Sequence, residues 1–388
     1  MSPSARPLTI GLVAGEVSGD QLGGALIQAL RERLPQACFV GLTGEHMRAA
    51  GCESLGSCEE LAVMGLVEPL RHLPRLLRLR ARLRREFLAR RIDVFVGVDA
   101  PAFNLGLARW LKSRGIPAAQ YVSPQVWAWR AGRIPRIARS VDAVMCLLPF
   151  EPRCYLGQPV RAPFVGHPLA DRIPLESGRV AARQELGIAE EDCVVAVLPG
   201  SRRGEVTRLG ADFAATCAAL APLVARPVTF LAPMASPMVQ RIFSAQVAAA
   251  GASIRLLEQD ADRALAVADV ALVASGTATL QAMLHGCPMV VAYRLAPLTA
   301  FLVRDMGLVK LAHFSLPNLL AGEALVPEFF QEKVSAPALA QSLAQLLQDE
   351  PRRGALRARF GALHRELRQD SARKAAAVVL ELAEGAGA

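Results

Sequence analysis

The sequence lacks the long apolar runs that would place it inside a membrane. Its 388 residues contain no uninterrupted apolar stretch of about 18 residues, the length that a membrane-crossing helix requires. The densest apolar segment, residues 264–274, is short and contains Asp269. Before Glu16 the amino terminus has about seven apolar positions, fewer than the apolar core of a secretory signal. We therefore expect neither a membrane span nor a secretory leader.

Closely spaced cysteine pairs are also absent. The chain has eight cysteines, but none of them form a C-x-x-C pair, which argues against a zinc ribbon or a dithiol redox site. Most of them lie inside apolar runs, where reduced thiols pack as small apolar side chains. This usage predicts reduced cysteines and a cytoplasmic location.

Lysine is scarce, and the positive charge is concentrated in one segment. Only four of the 44 basic residues are lysines, and the formal net charge is +9. Residues 68–91 hold nine arginines against two glutamates, with a period that predicts arginines on one helix face and leucines on the other. Such a helix is typical of an anionic membrane surface, and a solvated outer helix is the alternative. Nucleic acid is disfavoured because no aromatic residues alternate with the arginines.

The composition and the hydrophobic pattern predict two α/β domains. Apolar residues make up 52% and charged residues 20% of the chain, which excludes disorder, and the length exceeds one ordinary core. Short apolar runs alternate with amphipathic stretches, the pattern of a doubly wound parallel sheet. The predicted strands cover residues 8–14, 38–42, 94–98, 118–122, 141–148 and 160–165, then 193–198, 228–231, 253–257, 270–274 and 289–292.

A polar, proline-containing stretch near residue 170 separates the two strand series. We place two facing Rossmann-like lobes at residues 1–170 and 171–350, and a carboxyl-terminal helix that packs back across the lobes at residues 351–388. Ligands of open parallel sheets bind at the carboxyl ends of the strands. The functional residues are therefore expected in strand-exit loops around a cleft.

Acidic residues follow two predicted strands of the first lobe. Glu16 and Asp20 lie in the loop after the first strand, where two acids suit a hydroxyl-rich ligand better than a phosphate. Helix capping is the alternative for Ser18 and Asp20. Asp99 follows the strand at 94–98 and precedes Pro101, so its carboxylate is expected in the cleft. Apolar neighbours would raise its pKa and suit it to general base catalysis, with a helix cap as the alternative.

Aromatic residues and a histidine follow later strands of the same lobe. Trp127 and Trp129 lie in one strand-exit loop, where they form either a stacking wall for a sugar or part of the core. His167 lies at the lobe boundary, as a base, a ligand donor or a structural residue.

Two loops of the second lobe have the features of phosphate sites. The segment 198–205 leaves a strand and opens a helix with glycine, serine and arginine, and the segment 274–279 repeats this with small hydroxylated residues. The first of these loops does not have Walker A spacing. A nucleotide-sugar donor is expected here and an acceptor on the first lobe. The candidate nucleotide contacts in these loops are Ser201, Arg202, Ser275, Gly276, Thr277 and, one helical turn further, Gln281.

Taken together, the loops resemble one family, the lipid-A-disaccharide synthases, which are inverting glycosyltransferases of the two-lobed GT-B type. The matching segments are LVAGEVSGD (12–20), ELAVMGLVE (60–68), DVFVGVDAP (93–101), YVSPQVWAWR (121–130), FVGHPLAD (164–171), LPGSRRGEV (198–206), ASGTATL (274–280), CPMVVAYR (287–294) and SLPNLLAG (315–322). The resemblance extends from about residue 8 to residue 385 and is specific when the motifs are taken jointly.

The resemblance implies a reaction between two acylated sugars. UDP-2,3-diacylglucosamine would be the donor and 2,3-diacylglucosamine 1-phosphate the acceptor, giving a β(1→6)-linked disaccharide phosphate and UDP. Asp99 resembles the family's candidate base, with Glu16 beside it. The serine, arginine, glycine and threonine positions above resemble the UDP-binding loops, and Asn318 lies in a motif that faces the cleft. The family implies no cofactor and no metal ion, and the sequence has no D-x-D motif or His/Cys cluster.

The resemblance also implies a place in the cell. A cytoplasmic enzyme bound peripherally to the inner face of the cytoplasmic membrane, through residues 68–91, would meet both acylated substrates, as a monomer or a homodimer.

The sequence departs from the family pattern at two positions. Gln281 replaces a usual glutamate for the ribose hydroxyls, and Glu45 replaces a usual proline. Two other functions stay open at this level. A UDP-sugar epimerase of the same architecture would act on the donor alone, and a two-lobed binding protein would release no UDP.

Overall fold

Two compact units make up the chain. The computed structural model describes residues 6–62, 69–127, 131–176, 178–189, 191–295 and 312–385. The first unit comprises Met1–Asp171 and Leu367–Ala388, and the second comprises Arg172–Glu366. The change of unit thus follows Asp171, within one residue of the hinge that the sequence suggests.

Each unit contains one six-stranded parallel sheet. The strands of the first are β1 (Thr9–Ala14), β2 (Cys38–Thr43), β3 (Glu53–Ser57), β4 (Val94–Val98), β5 (Ala118–Tyr121) and β6 (Ala143–Met145). Those of the second are β7 (Cys193–Leu198), β8 (Val228–Met234), β9 (Arg255–Glu258), β10 (Val270–Ala274), β11 (Met289–Tyr293) and β12 (Glu328–Phe330). The orders are β3-β2-β1-β4-β5-β6 and β12-β11-β10-β7-β8-β9. Both are the doubly wound order 3-2-1-4-5-6, so the predicted α/β class is confirmed.

Helices connect the strands in both units. Before the change of unit lie α1 (Val17–Arg33), α2 (Glu45–Ala49), α3 (Glu59–Ala62), α4 (Pro69–Ala89), α5 (Pro101–Lys112), α6 (Ile134–Ser140) and α7 (Pro168–Arg172), which spans it. After it lie α8 (Arg179–Leu186), α9 (Arg203–Leu220), α10 (Pro237–Ala250), α11 (Ala261–Val267), α12 (Thr277–Leu284), α13 (Leu316–Ala321), α14 (Ala336–Gln348), α15 (Glu350–Leu367) and α16 (Ser371–Gly385). In the first unit α1 and α16 share one core, and α4 and α5 share the other.

The buried strands arise from continuous apolar sequence. All five residues of β4 and all six of β7 are buried, as expected for strands covered by helices on both faces. The predicted strand at 160–165 is wrong, because this segment forms only the isolated bridges Ala143↔Arg161 and Cys146↔Phe164 beside the short edge strand β6. All eight cysteines are free thiols, and six of them are buried.

The return of the chain to the first unit occurs later than residue 351, the boundary expected from sequence. Helix α15 stays with the second unit up to Glu366. Its Arg353 is 5% exposed and donates to the carbonyl of Leu346 at the end of α14 (2.8 Å). The start of α16 is then fixed in the first unit, where the Asp171 carboxylate accepts from the N–H groups of Asp370 (2.9 Å) and Ser371 (2.7 Å).

Candidate active site

The loops after β1 and β4 meet at the carboxyl edge of the first sheet. The two strands are neighbours, with Ala14 opposite Val98. Gly15 lies so close to Ala100 that a Cβ at residue 15 would stand 2.2 Å from the Ala100 Cβ. Only glycine allows this approach. The structure therefore brings together the loops that hold Glu16 and Asp99, the two residues that the sequence suggests for catalysis.

The backbone of Asp99 adopts a strained conformation that buried amides hold in place. Its φ is +53°, in the left-handed region that side chains disfavour. The carbonyl of Asp99 accepts from Nδ2 of Asn104 (2.9 Å) and from Nε2 of Gln120 (2.9 Å). Both amide side chains are fully buried. Nδ2 of Asn104 also donates to the carbonyl of Val13 at the end of β1 (3.1 Å). These contacts fix the direction in which the chain leaves β4.

The carboxyl group of Asp99 is partly buried and weakly bonded. Burial raises its pKa above the ordinary value, and a hydrogen bond from the Ala100 N–H opposes this only in part. A carboxylate with a raised pKa and few hydrogen-bond donors is a stronger base than one in water. Glu16 differs, because it is exposed at the N-cap position of α1 and its side chain makes no capping bond.

Asp20 has a structural role rather than a place in the reaction. It is 2% exposed. Its carboxylate accepts from the N–H groups of Gly44 (2.7 Å), His46 (2.8 Å) and Met47 (3.1 Å) at the start of α2. Asp20 therefore caps a helix, which is the alternative that the sequence offered. The capped helix is α2, however, and not α1, the helix in which Asp20 itself lies.

One tryptophan of the aromatic loop belongs to a partly buried contact within the first unit. The Trp127 ring lies edge-on to Phe150, with centroids 5.3 Å apart, and its Nε1 donates to Oε1 of Glu151 (3.2 Å). Trp129 lies outside the described residues. His167 is partly buried, its Nδ1 accepts from the N–H of Leu169 (3.2 Å), and desolvation lowers its pKa to about 4. A neutral, bonded imidazole indicates the structural alternative for His167.

The loop after β7 already has an internal anion. The carboxylate of Glu205, in the first turn of α9, accepts from the N–H groups of Ser201 (3.1 Å) and Arg202 (3.2 Å). These N–H groups are therefore occupied. The side chains of both residues are exposed, so the Ser201 hydroxyl and the Arg202 guanidinium are the groups that can meet a phosphate.

The loop after β10 places small residues at the start of α12. Gly276 is the N-cap residue, and Gly276 and Thr277 are exposed. The Ser275 hydroxyl donates to the carbonyl of Phe314 (3.1 Å), which leaves its oxygen free to accept. The first N–H groups of an eight-residue helix and the Thr277 hydroxyl thus lie on one exposed turn.

Sequence reasoning missed a carboxylate beside Gln281. Nε2 of Gln281 donates to Oδ1 of Asp262 (2.5 Å), and Asp262 also contacts His285 (2.9 Å) and Arg172 (2.9 Å). The hydrogen bond with His285, more than any other contact, lowers the pKa of Asp262 to about 2. A negative charge therefore lies next to the position where the resemblance implies a glutamate. No sequence signal indicates it, because Asp262 lies on a different helix.

Asn318 holds the segment that follows its helix. It is 1% exposed, its Nδ2 donates to the carbonyl of Val326 (2.9 Å), and its Oδ1 accepts from the Val326 N–H (2.9 Å). Both ends of the amide are thus bonded within the second unit. This geometry describes a structural clasp and not a side chain free to contact a nucleotide.

Neither a metal cluster nor a membrane span occurs in the described part of the chain. Residues 6–62, 69–127, 131–176, 178–189, 191–295 and 312–385 contain no group of three or more His, Cys, Asp or Glu side chains suited to hold a metal ion. No helix among the same residues combines the length and apolarity that crossing a bilayer requires.

Solved structures with the same architecture define the class. The UDP-GlcNAc 2-epimerase from Neisseria meningitidis bound to UDP-GlcNAc has a TM-score of 0.63 at 12% identity, covering 96% of this chain and 99% of that one. Anabaena Alr3699/HepE in complex with UDP and glucose has a TM-score of 0.58 at 14% identity, with the same coverage. At such identities the likeness shows the fold alone, which is the GT-B fold.

The family follows from sequence similarity. The model of the lipid-A-disaccharide synthetase family matches residues 10–381. The lipid-A-disaccharide synthase of Alkalilimnicola ehrlichii is 50% identical over 385 residues, covering 98% of this chain and 100% of its own. The lipid-A-disaccharide synthase of Xanthomonas campestris is 47% identical over 380 residues, which cover 97% of this chain and 86% of that one. The chain belongs to the lipid-A-disaccharide synthetase family and is a glycosyltransferase.

Proposed function

We propose that this chain joins two acylated glucosamine units in the synthesis of lipid A. The donor is UDP-2,3-diacylglucosamine, the acceptor is 2,3-diacylglucosamine 1-phosphate, and the products are the β(1→6)-linked disaccharide 1-phosphate and UDP. The family match over residues 10–381 supports this reaction. The observation that carries the chemistry is Asp99, a partly buried carboxyl with a raised pKa at the carboxyl end of β4.

The proposed step is a single in-line displacement. The acceptor 6-hydroxyl forms a bond to the anomeric carbon of the donor as the bond from that carbon to the UDP oxygen breaks, which inverts the configuration. Asp99 takes the hydroxyl proton, with Glu16 as a second acid of the acceptor site. UDP leaves with the electron pair of the broken bond, and Arg202 stabilises its charge. The step uses no cofactor and no metal ion.

The two units take separate substrates in this proposal. The first unit binds the acceptor, and the second binds the UDP group of the donor through Ser201, Arg202, Ser275, Gly276 and Thr277. Gln281, with the Asp262 carboxylate 2.5 Å from its Nε2, accepts from the ribose hydroxyls. Asn318 contributes by holding the segment up to Val326.

One incubation tests the reaction and its nearest rival. Purified protein with both acylated sugars should give equal amounts of disaccharide 1-phosphate and UDP, measured by mass spectrometry and by a coupled UDP assay. The donor alone should give no product. An isomerised UDP-sugar formed from the donor alone would instead support an epimerase. The absence of any reaction with both sugars would support a binding protein without catalytic activity.

The membrane association rests on the exposed side of α4. Leu76, Leu83 and Phe87 are buried against the sheet, whereas Leu73 and Leu77 are 47% and 52% exposed. Arg78 and Arg85 are exposed as well, and neither has an acidic partner in the described ranges. Two exposed leucines next to unpaired arginines suit the surface of an anionic bilayer, where each basic residue contributes about 1 kcal/mol. The proposed location is the inner face of the cytoplasmic membrane.

Vesicle sedimentation tests this location. Binding to vesicles with phosphatidylglycerol should fall several-fold in high salt and in an Arg78→Glu/Arg85→Glu variant. Arg75 and Arg82 are poorer choices, because both lie within 4 Å of the Glu60 carboxylate. Arg139→Glu on α6 is the matched control and should bind as the unmodified chain does. Equal binding by all three proteins would make α4 a solvated helix. Sedimentation equilibrium distinguishes a homodimer from a monomer.

A further inference from the structure

Helices α4, α5 and α6 of the first unit line a pocket whose residues have no role in the reaction proposed above. Its volume is about 270 Å³. Four arginines line it, and no acidic residue does among the described residues around it. The four are Arg80 of α4, Arg109 of α5, Arg133 directly before α6, and Arg136 of α6. The pocket is smaller than a typical site for a whole small-molecule ligand, about 300–1,000 Å³, so a single headgroup is the appropriate occupant.

Arg80 is held at the wall of the pocket. Its Nη2 donates to the carbonyl of Phe103 (3.0 Å), and its guanidinium carbon lies 4.9 Å from the centre of the Phe103 ring. Residue 106 is glycine, and a Cβ there would stand 3.0 Å from Nη1 of Arg80. The absence of a side chain at Gly106 thus leaves room for the guanidinium against α5. Its Nε is buried and has no hydrogen-bond partner among the described residues.

The other three arginines are not neutralised by the protein. In the described part of the chain, no ion pair or hydrogen bond involves the side chain of Arg109, Arg133 or Arg136. Arg80 lies close enough to another cation that repulsion from Arg84 adds to burial in lowering its pKa. Four cations around one pocket, with no anion of the protein among them, create a positive potential that attracts an anionic ligand.

A second pocket shows the opposite arrangement. It lies in the second unit, has a volume of about 520 Å³, and also contains arginines. There Arg179 pairs with Asp269 (2.6 Å) and Arg357 pairs with Glu350 (3.1 Å). Those cations have protein partners and need no ligand. The contrast indicates that the positive charge of the α4–α5–α6 pocket is not balanced by acidic residues of the protein and can be balanced by a bound anion.

We propose that the α4–α5–α6 pocket binds a phosphate group carried by a lipid. Guanidinium groups are the side chains best matched to phosphate oxygens, and several of them around one small pocket form such a site. The phosphate is either the 1-phosphate of the acceptor or the headgroup of a bilayer phospholipid. Because the first source is the acceptor of the proposed reaction, the inference rests in that part on the proposed function.

The position of the pocket accommodates both sources. Pro101 and Ala102, the first residues of α5, line it and follow Asp99 by two and three residues. The acceptor carries its reacting hydroxyl and its phosphate on one sugar ring, so a phosphate site near the base is expected. The opposite wall belongs to α4, the helix proposed to lie on the membrane.

A double variant, Arg109→Gln/Arg136→Gln, tests the site. Arg139→Gln is the control, because Arg139 is exposed on α6 and does not line the pocket. If the acceptor is the ligand, the double variant should raise KM for the phosphorylated acceptor about tenfold or more, as expected for lost charge-assisted bonds. The preference for this acceptor over 2,3-diacylglucosamine without phosphate should disappear. The KM for UDP-sugar and kcat should stay unchanged.

The second arm measures vesicles of phosphatidylglycerol against vesicles of phosphatidylcholine. If the headgroup is the ligand, the double variant loses binding to phosphatidylglycerol while its KM for the acceptor is unchanged. A double variant that matches Arg139→Gln in both arms would overturn the inference. An unmodified chain that forms no disaccharide contradicts the proposed function instead, and the vesicle arm then decides on the pocket alone.

Discussion

Two aspartates at the same edge of the first sheet have opposite surroundings. Asp20, in the helix after β1, is 2% exposed and accepts from three backbone N–H groups at the start of α2. Asp99, after β4, accepts from one N–H group, that of Ala100, among the described residues. Burial raises the pKa of the Asp99 carboxyl. The Asp20 carboxylate is thus held by backbone donors at the start of a helix, whereas the Asp99 carboxyl is held by a single donor.

The difference shows that the residue type and its position after a strand do not decide a role. The Asp20 carboxylate is used up as the acceptor of three backbone N–H groups, whereas desolvation with a single donor raises the pKa of Asp99. A carboxyl group that is destabilised by its surroundings costs folding free energy, and such groups cluster at reactive sites. Asp99 is such a group, and substitutions at the two sites should therefore fail in different ways.

Asp99→Asn should give the largest effect, on turnover. Loss of a positioned base lowers kcat by about 10²–10⁴-fold, with KM for both sugars changed little. Asparagine also tolerates the left-handed backbone at residue 99, so the loop geometry is kept. Initial rates of UDP release measure the loss. Near-normal rates would remove Asp99 from the role of base.

The same variant should unfold less easily than the unmodified chain at neutral pH. A carboxyl whose pKa is raised in the folded state lowers stability as the pH rises above its unfolded value, 3.8. Asparagine carries no charge and removes this cost. Denaturant unfolding at pH 7 therefore distinguishes two roles of Asp99. A higher free energy of unfolding in the variant indicates a reactive group, and a lower one indicates a structural group.

Asp20→Ala should act on stability. Removal of the carboxylate leaves the N–H groups of Gly44, His46 and Met47 without their acceptor, and of these residues only Met47 is buried, so a decrease of about 1–3 kcal/mol is expected. Activity per folded molecule should remain close to normal. Glu16→Gln is a matched control for stability, because Glu16 is exposed and makes no capping bond, and it should unfold as the unmodified chain does. Full stability with lost turnover in Asp20→Ala would place Asp20 in the reaction.

The sequence predicts the central strands because their apolar runs reflect burial on both faces. The residues 94–98, 193–198 and 270–274 are predicted and observed with the same bounds. Two of the four edge strands, β3 and β12, were not predicted, since ESLGS and EFF are short and only partly buried. The other two edge strands, β6 and β9, overlap predicted strands, so it is the weak apolar pattern of β3 and β12, and not their edge position alone, that hides them.

The candidate site also has features that the sequence predicts and features that it does not. Loops such as the one with Glu16 could be located because they follow predicted strands. Contacts that join distant parts of the chain could not. Asn104 reaches the carbonyl of Val13, 91 residues away, and Gln281 meets Asp262 across two helices. Such pairs depend on how the helices pack, and no local spacing encodes them.

Glu151 combines features of Asp20 and Asp99, because it accepts from backbone N–H groups and also has a raised pKa. It is 4% exposed, and its Oε2 accepts from the N–H groups of Leu147 (2.9 Å) and Leu148 (3.0 Å). Burial nevertheless raises its pKa from 4.5 to about 7. Stability should therefore fall as the pH rises from about 4.5 to about 7, by on the order of 3 kcal/mol. Unfolding free energies at pH 5 and pH 8 should differ less in Glu151→Gln. An equal difference in both proteins would show that Glu151 is not the titrating group.

Asn104→Leu should have the smallest effect, and it tests whether the loop of Asp99 is held for catalysis or only for folding. Without Nδ2, the carbonyl of Asp99 keeps only its bond from Gln120, and the direction of the carboxyl shifts. Small misplacements of a base cost turnover and not binding, so kcat should fall about tenfold with KM unchanged. Gln120→Leu should do the same.

The two substitutions should combine to less than the product of their separate effects, because both amides hold one oxygen. Isothermal unfolding corrects each rate for the folded fraction. If the two amides serve only folding, each variant should lose stability because its buried hydrogen bonds are lost, and kcat per folded molecule should keep its normal value. A lower kcat in the folded protein, with KM unchanged, would instead mean that the amides of Asn104 and Gln120 position the base.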